Sequence, residues 1–147
     1  MFKHILLPHD GSAISGKAVR LGIDFARKIG AKITAIHVVP QFMVAADVSL
    51  VPLSPGLRKR LEDQARARAQ KILGAVAAQA KKRGVRCSTM SIASDLPYQQ
   101  ILASARKKKS DLIMMASHGR RGLSSLLLGS ETAKVLMHSK IPVLVVR

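Results

Sequence analysis

The chain has 147 residues, of which 25 are lysine or arginine and 8 are aspartate or glutamate, and its formal net charge is +17. This length is typical of one domain, and we assign residues 1–147 to a single domain. The composition is 48% hydrophobic and 22% charged, which supplies a core and excludes a disordered basic tail. Cys87 is the only cysteine, which excludes an internal disulfide and a thiolate metal cluster within one chain.

The apolar runs of the sequence are short. The longest, residues 5–8 and 141–146, fall far below the roughly 20 residues that cross a bilayer. The first run ends at His9-Asp10 with no small-residue cleavage site, so it does not have the pattern of a signal peptide. We therefore expect no membrane span and a cytoplasmic location.

The first half of the chain predicts two strands with a helix between them. Residues 4–8 and 33–39 are apolar runs typical of buried strands. The intervening helix is predicted to end at Gly30. Its apolar face is predicted to carry Ile14, Ala18, Leu21 and Phe25. Residues 41–55 are rich in proline and are expected to form a surface loop.

The second half continues the alternation. A long helix closed by Gly84 is predicted from the apolar stripe Leu57, Leu61, Ala65, Ala69, Ile72, Val76 and Ala80. Strands are expected at residues 85–92, 112–116 and 142–146, and helices after Pro97 and over residues 130–139. Five strands separated by four helices predict an α/β fold: one open, parallel sheet with helices on both faces.

Two loops of this fold are candidates for ligand binding. In open α/β sheets, ligands bind beyond the carboxyl ends of the strands, where the strand order reverses. If the order is 3-2-1-4-5, that point lies between the first and fourth strands, beside residues 9–12 and 117–130. Gly119 and Gly129 allow the main chain to approach a ligand closely, and Ser130 begins a helix whose free N–H groups favour phosphate. The Ser130 hydroxyl either caps that helix or donates to a phosphate oxygen.

A family resemblance rests on the same residues. Ala116-Ser117-His118-Gly119, nine further residues and Gly129-Ser130 resemble the nucleotide-binding signature of the universal stress protein family, G-x2-G-x9-G-(S/T), with Ala116 in place of the first glycine. The resemblance covers the whole chain, with residues 5–12 similar to the family's first strand and acidic loop and residues 141–146 similar to its last strand. It implies a Rossmann-like five-stranded sheet of order 3-2-1-4-5, a homodimer and ATP binding.

The resemblance also implies roles for single residues. Asp10 would lie near the ribose, while Pro8 and Val38 would wall the adenine pocket. Met115 and Ala116 would border the base or ribose. The implied phosphate cradle is Gly119, Gly129, Ser130 and the amide of Glu131. The complete set of expected nucleotide-binding residues is Pro8, His9, Asp10, Val38, Met115, Ala116, Ser117, His118, Gly119, Gly129, Ser130 and Glu131. Any Mg²⁺ would arrive with the phosphates of ATP and keep several of its waters.

A second motif competes for the nucleotide. Residues 11–17 match the spacing of a Walker A loop up to Lys17. Ala18 follows, which has no hydroxyl for Mg²⁺, and the strand at residues 112–116 does not end in a Walker B aspartate. Ile14 and Ala18 also belong to the predicted helical face. We therefore interpret this segment as the beginning of a helix.

Catalysis has little support in the sequence. Asp10, His9 and His118 could join a serine in a triad, but no G-x-S-x-G segment accompanies them. No pair of histidine or glutamate residues has the spacing of metal ligands on one helix face. We expect a protein that is not an enzyme, with slow ATP hydrolysis as a weaker alternative.

The positive charge is concentrated on the long second helix and at residues 106–109. One interpretation is a solvated face, since cations are favoured near helix C-termini. The other is a surface for an anionic partner such as nucleic acid, although aromatic residues for stacking are only 3% of the chain.

The sequence predicts an ATP-binding regulatory module of the stress response that acts through nucleotide-dependent stabilisation and a further protein partner. The alternative is a stress protein without a nucleotide site that uses its basic surface.

The last strand predicts self-association. Residues 143–146 are uninterrupted apolar residues and would occupy a sheet edge in the order 3-2-1-4-5. An exposed apolar edge pairs readily with another strand. We expect a two-fold homodimer through Val143 to Val146.

Overall fold

The computed structural model describes residues 1–41, 54–118 and 128–147. Strands and helices alternate in these ranges: β1 (His4–Pro8), α1 (Ala13–Ile29), β2 (Lys32–Val39), α2 (Pro55–Lys82), β3 (Cys87–Ala93), α3 (Pro97–Lys108), β4 (Leu112–Ala116), α4 (Ser130–His138) and β5 (Val143–Val146). The strands form one sheet in the order β3-β2-β1-β4-β5. Each neighbouring pair is parallel. The predicted α/β fold and strand order are confirmed.

The core lies on both faces of the sheet. Alternate residues of a strand point to opposite faces, so Ile5 and Leu7 of β1 pack under α1 and α2. Leu6 of the same strand packs on the other face with Ile101 of α3 and Val135 of α4. Burial on both faces explains why β1 and β4 are continuous apolar runs.

The buried face of α1 contains Ala18 as predicted but otherwise differs from the predicted one. Leu21 is 44% exposed, whereas the buried residues of the helix are Ser15, Ala18, Val19, Gly22, Ile23 and Ala26. Four of these are small, which lets the helix axis lie close to the sheet. At Gly22 an added Cβ would lie 2.6 Å from Cδ2 of Leu7. The larger apolar residues Ile14 and Phe25 lie at the sides of this contact and are half-buried.

The stripe of α2 is buried only in its second half. Ala69, Val76 and Ala80 are buried as predicted, and Leu73 joins them. Leu57 is exposed, because the first turns of this 28-residue helix are not covered. Pro55, expected in a loop, is within the first turn of α2. Residues 42–53 of that expected loop lie outside the described residues.

No helix within the described ranges is both long enough and apolar enough to cross a membrane.

Candidate functional site

The carboxyl ends of β1 and β4 meet at the centre of the sheet. The two strands are neighbours, with Ile5 opposite Leu112 and Leu6 opposite Ile113. The strand order reverses here, because β2 and β3 extend to one side of β1 and β5 lies on the far side of β4. The loops that follow β1 and β4 therefore leave the sheet side by side, as the sequence predicted.

The main chain at the β1 exit is fixed by β2. The His9 N–H donates to the Ile36 carbonyl at 2.9 Å. The His9 carbonyl lies 2.6 Å from Nδ1 of His37, and since a carbonyl only accepts, that nitrogen carries a proton. The His37 side chain is buried and orients the main chain next to Asp10.

Asp10 is held against the first turn of α1. Its Oδ1 accepts the Ser12 N–H at 3.0 Å, the Ser12 hydroxyl at 2.6 Å and the Ser15 hydroxyl at 2.6 Å. Ser12 is also the N-cap of α1 and accepts the Ser15 N–H. The carboxylate is thus oriented by the start of a helix, where a negative charge is favoured. α1 has no acidic residue within its own first turn.

Ser15 links Asp10 to the ring of His9. Nδ1 of His9 lies 2.6 Å from the Ser15 hydroxyl and 3.3 Å from the Gly11 N–H. The Gly11 N–H donates to this nitrogen, so Nδ1 is an acceptor, and the single Ser15 proton is directed to either His9 or Asp10. Burial lowers the pKa of His9, and the charges of His37 and Arg20 lower it further, against the opposing effect of Asp10. The neutral imidazole of His9 is therefore favoured over the protonated form.

This arrangement lacks the geometry of a serine nucleophile. In a catalytic triad the imidazole stands between the carboxylate and the hydroxyl. Here the Ser15 hydroxyl stands between the carboxylate and the imidazole, and Ser15 is only 4% exposed. Its local role is to fix Asp10. Ser15 was not among the residues predicted from the sequence, although its position three residues after the N-cap Ser12 is a signal for such a role.

The β4 exit is bonded to both neighbouring elements. The Ser117 N–H donates to the Val146 carbonyl at 2.7 Å, and the Ser117 carbonyl accepts the Gly129 N–H at 2.8 Å. The Thr132 hydroxyl donates to the Ala116 carbonyl at 2.9 Å. These bonds place the first turn of α4 directly against the end of β4.

Gly129 is required by this close approach. A Cβ at this position would lie 2.9 Å from Cα of His118 and 3.3 Å from the Ser117 carbonyl oxygen. Its φ of −61° is accessible to any residue, so space and not backbone conformation demands glycine. Gly119, the preceding glycine of the signature, lies outside the described residues.

Ser130 is not the N-cap of α4. Gly129 occupies the N-cap, with no side-chain capping bond in the described structure, and Ser130 is the first helical residue. The Ser130 side chain is exposed. The predicted alternative in which the Ser130 hydroxyl caps the helix is therefore wrong, and the hydroxyl faces solvent beside the helix N-terminus.

The side chain of Glu131 belongs to a different contact. Its Oε2 accepts the N–H of Tyr98 at 2.8 Å, and its Oε1 lies 3.0 Å from Nζ of Lys134. Tyr98 is in the first turn of α3, whose N-cap residue Leu96 supplies no side-chain bond. Glu131 therefore caps α3, and only its main chain is left for a ligand. No local sequence pattern connects these residues, which are 33 positions apart.

The remaining expected residues occupy the ends of three strands. Pro8 ends β1 and is buried, and Val38 is half-buried near the end of β2. The Met115 side chain is 6% exposed and packs in the core on the α3 and α4 face. Ala116 ends β4 without a positive φ, so its methyl group introduces no backbone strain at the first signature position. The Ser117 hydroxyl lies 3.0 Å from Nδ1 of the neighbouring His118.

The described residues contain no group of three or more histidine, cysteine, aspartate or glutamate side chains that could hold a metal ion. Cys87 lies in β3, and burial raises the pKa of its thiol. The protonated thiol is a poor metal ligand.

Comparison with known proteins identifies the family. The sequence model of the universal stress protein family matches residues 1–147. The chain belongs to the universal stress protein family. Among its relatives, the universal stress protein MJ0531 of Methanocaldococcus jannaschii is 33% identical over all of this chain and 83% of the relative. The universal stress protein YxiE of Bacillus subtilis is 30% identical over the full length of both.

Solved structures of universal stress proteins share the fold. The structure of hypothetical protein MJ0577 superposes with a TM-score of 0.83 at 25% identity, over 99% of this chain and 96% of that chain. An Arabidopsis thaliana family member with AMP bound has a TM-score of 0.69 at 18% identity, over 98% and 90% of the two chains. A universal stress protein in complex with cAMP has a TM-score of 0.73 at 22% identity, over 99% and 97%. AMP and cAMP are thus bound by two proteins that share this fold.

Proposed function

We propose that this universal stress protein binds ATP at the paired exits of β1 and β4 and acts as a regulatory module. The observation that carries the proposal is the juxtaposition of two features. Asp10, with its carboxylate fixed by Ser12 and Ser15, follows β1. The open first turn of α4 is held against the end of the neighbouring strand by Ser117 and Thr132. One feature suits a ribose hydroxyl and the other suits phosphate.

The phosphate end of the proposed site is the start of α4. Main-chain N–H groups in the first turn of a helix have no partner within the helix, and the positive end of the helix dipole favours anions. The exposed Ser130 hydroxyl adds a donor at the first position of α4. Glu131 contributes its main chain, since its side chain is engaged with Tyr98. Mg²⁺, if bound, accompanies the phosphates and keeps several waters.

The base and ribose occupy the central strand ends in this proposal. Pro8 and Val38 border the adenine, and Met115 and Ala116 lie beneath it at the end of β4. The main chain of Ser117 and His118 separates the ribose from the phosphates. AMP and cAMP in two proteins of the same fold support an adenine nucleotide as the ligand class.

The regulatory mechanism we propose is stabilisation of the folded protein by its ligand. A ligand that binds only the folded state stabilises it by about 2.7 kcal/mol at 100 times its dissociation constant. ATP would join the β1 loop to α4, and so change the surface that a protein partner meets in the cytoplasm. No enzymatic step is part of this proposal.

A homodimer through β5 completes the module. β5 is an edge strand, its Leu144 is 38% exposed, and Val143 and Val145 are half-buried. Pairing two copies of this edge covers those side chains and the free backbone groups of the strand.

A second candidate function rests on the basic surface. The exposed lysine and arginine residues of α2 outnumber its acidic residues. Within the described residues, Arg58 of this helix pairs with Glu62, and Arg83, just past the end of the helix, pairs with Asp24. Such a surface favours an anionic partner such as nucleic acid. Because it needs no pocket, its binding weakens with salt far more steeply than binding in a pocket.

Calorimetric titration of ATP and Mg²⁺ at moderate and high salt separates the two functions. The nucleotide proposal predicts saturable binding of one ATP per chain that persists at high salt. Weak binding that disappears at high salt, together with salt-sensitive binding of DNA or RNA, would favour the basic surface and overturn the ATP site.

A further inference from the structure

Thirteen of the 25 lysine and arginine residues of the chain lie at one end of the molecule. In a parallel sheet with helical crossovers, all strands begin on the side where the helices end. Each helix here is followed by the next strand after two to four residues. We call this side the amino end of the sheet. It is opposite the strand exits that carry the proposed ATP site.

Three helices bring nine of these cations to the amino end. They are residues 27–28 at the end of α1, residues 81–83 at the end of α2 and residues 106–109 at the end of α3. The negative end of a helix dipole is equivalent to about half a unit charge. Three helices therefore balance only about 1.5 positive charges. Stabilisation of the helices does not explain the other cations.

The beginnings of the strands carry the remaining four cations, all of which are exposed. Lys32 begins β2, Lys3 and Arg86 directly precede β1 and β3, and Lys140 lies shortly before β5. The Lys32 N–H donates to the Lys3 carbonyl at 3.0 Å, and the Ile33 N–H donates to the Arg86 carbonyl at 2.8 Å. Lys3, Lys32 and Arg86 are therefore side by side on adjacent strands. Like charges in such positions repel one another, and an anionic partner would offset the repulsion.

The described acidic residues at the amino end are already engaged. Oδ1 of Asp24 lies 2.8 Å from Nε of Arg83. The Asp111 carboxylate accepts the N–H of Lys3 at 2.8 Å and the N–H of His4 at 2.9 Å. Thirteen cations against these two carboxylates leave the amino end with a formal net charge of +11, out of +17 for the whole chain. Most of the net charge is thus concentrated on one surface.

We propose that the amino end of the sheet binds the phosphate backbone of double-stranded nucleic acid without reading its sequence. The proposal rests on the second candidate function for the class of partner, and it moves the main contact from the side of α2 to the ends of three helices and the beginnings of the strands. It does not depend on the ATP site. The five residues of β1 separate the two surfaces by roughly 16 Å, so both ligands can bind at once.

A duplex fits this surface better than a single strand or a membrane does. Single strands stack on aromatic side chains, but Phe2 and Phe25 are half-buried and Tyr98 lies at the opposite end. Membrane-surface proteins place the apolar face of a helix in the lipid interface, whereas α1, α2 and α3 meet the amino end with their last turns. Met1 and Met137 are exposed, but two methionines supply far less apolar area than a helix. A duplex needs only cations, because it carries one negative charge per roughly 1.7 Å.

The test begins with a variant of the amino end. Lys32→Gln/Arg86→Gln/Lys107→Gln neutralises three exposed cations from β2, the start of β3 and the end of α3. Fluorescence anisotropy of a labelled DNA duplex of mixed sequence measures binding over a series of salt concentrations, without nucleotide. We expect the variant to bind about tenfold more weakly or worse at about 0.1 M salt. The slope of log affinity against log salt should become shallower by about 2.7, because each lost phosphate contact removes about 0.9.

A matched variant controls for net charge. Lys59→Gln/Arg60→Gln/Lys71→Gln also neutralises two lysines and one arginine, all exposed on α2 before its last two turns. Its net charge equals that of the amino-end variant. We expect its affinity for the duplex to change by less than about threefold and its salt slope to stay the same. Circular dichroism of both variants verifies that the fold is retained.

The possible contrary results separate this proposal from the function on which it rests. Equal losses in the two variants would overturn the amino-end site and leave the second candidate function in place. No binding of the duplex by the natural protein at about 0.1 M salt would overturn both. A single strand of the same length and vesicles containing phosphatidylserine are measured alongside. If either bound more tightly than the duplex and lost its binding in the amino-end variant, the surface would belong to that partner and the duplex proposal would be wrong.

Discussion

The carboxylate of Glu131, at the start of α4, accepts the N–H of Tyr98 in the first turn of α3 at 2.8 Å. The two helices that cover one face of the sheet are thus joined where both begin. α3 has no side-chain cap of its own at Leu96, so the partner for its free N–H comes from another helix. This contact sets the position of α4, whose first turn is the proposed phosphate site.

Glu131→Ala is expected to lower the free energy of unfolding by about 1 kcal/mol, because Tyr98 loses its acceptor. Loss of the partly exposed Lys134 pair adds little. Urea unfolding and the exchange rate of the Tyr98 amide measure the effect. Glu131→Gln retains an acceptor oxygen, so its decrease in the free energy of unfolding should be less than half as large. If Glu131→Ala left the exchange of the Tyr98 amide unchanged, the capping role would be wrong.

Ser15→Ala is expected to destabilise the protein by about 0.5–1.5 kcal/mol, since Asp10 and His9 both lose the hydroxyl between them. Ser91→Ala, at an exposed position of the edge strand β3, should change stability by less than about 0.5 kcal/mol. ATP affinity should fall in Ser15→Ala, because the carboxylate loses one of the donors that orient it. Equal ATP affinity in the two variants would argue against Asp10 as a ligand whose orientation depends on Ser15.

Two helical glycines should respond in opposite directions to alanine. At Gly74 no atom lies within 4 Å of an added Cβ, whereas at Gly22 the added atom would meet the buried Leu7 at 2.6 Å. Gly74→Ala is expected to stabilise the protein by about 0.5–1 kcal/mol, because alanine favours the helix. Gly22→Ala should destabilise it by about 1–3 kcal/mol through overpacking. Thermal and urea unfolding of both variants test this, and a shift of the same sign in both would contradict the packing of α1 on β1.

The stability of the protein should decrease on mild acidification. Burial lowers the pKa of His9 and of His4 below the ordinary value of 6.5, with Lys32 adding to the effect at His4. The unfolded chain therefore binds protons more readily in the interval between the folded pKa and 6.5. The stabilisation is fully present above pH 6.5 and is lost as the pH falls through that interval.

The free energy of unfolding measured from pH 7 to pH 5 provides the test. His9→Gln removes one of the two contributing groups, so the decrease should be smaller in this variant. His138→Gln, at an exposed position on α4, controls for the loss of a histidine as such. A natural protein that is equally stable at pH 5 and pH 7 would contradict the lowered pKa values.

Much of the fold is encoded in local patterns. The continuous apolar runs of β1 and β4 have their predicted bounds, because strands buried on both faces require such runs. The paired loop exits follow from the strand order. On α1, Ala18 was predicted correctly and Leu21 wrongly, because large apolar residues were counted, whereas close packing on the sheet also selects small residues such as Ser15 and Gly22.

Around the site, local sequence patterns did not predict the contacts between residues that are far apart in the sequence. Gly129 and Ser130 were selected from their spacing, but the position of Gly129 at the N-cap of α4 and its approach to His118 are seen only in the structure. The bond from His37 to the His9 carbonyl and the bond from Glu131 to Tyr98 join residues 28 and 33 positions apart. Such contacts exist only after the sheet has formed.

The choice of variant matters for the phosphate site at α4. A side chain at Gly129 would meet the main chain of His118 at 2.9 Å, so substitution there disturbs the loop as well as any ligand. Ser130 is exposed and is the first helical residue. An aspartate at that position favours the helix through its dipole, yet repels phosphate. Ser130→Asp therefore separates ligand binding from folding.

The most direct measurement is calorimetric titration of ATP and of adenosine into the natural protein, Ser130→Asp and Gln64→Glu at high salt. Gln64 is exposed on α2 and controls for the change of net charge. We expect saturable ATP binding to the natural protein and to Gln64→Glu, at least tenfold weaker ATP binding to Ser130→Asp, and similar adenosine binding to all three. ATP binding that is unchanged in Ser130→Asp, or absent from the natural protein, would contradict a phosphate site at the start of α4.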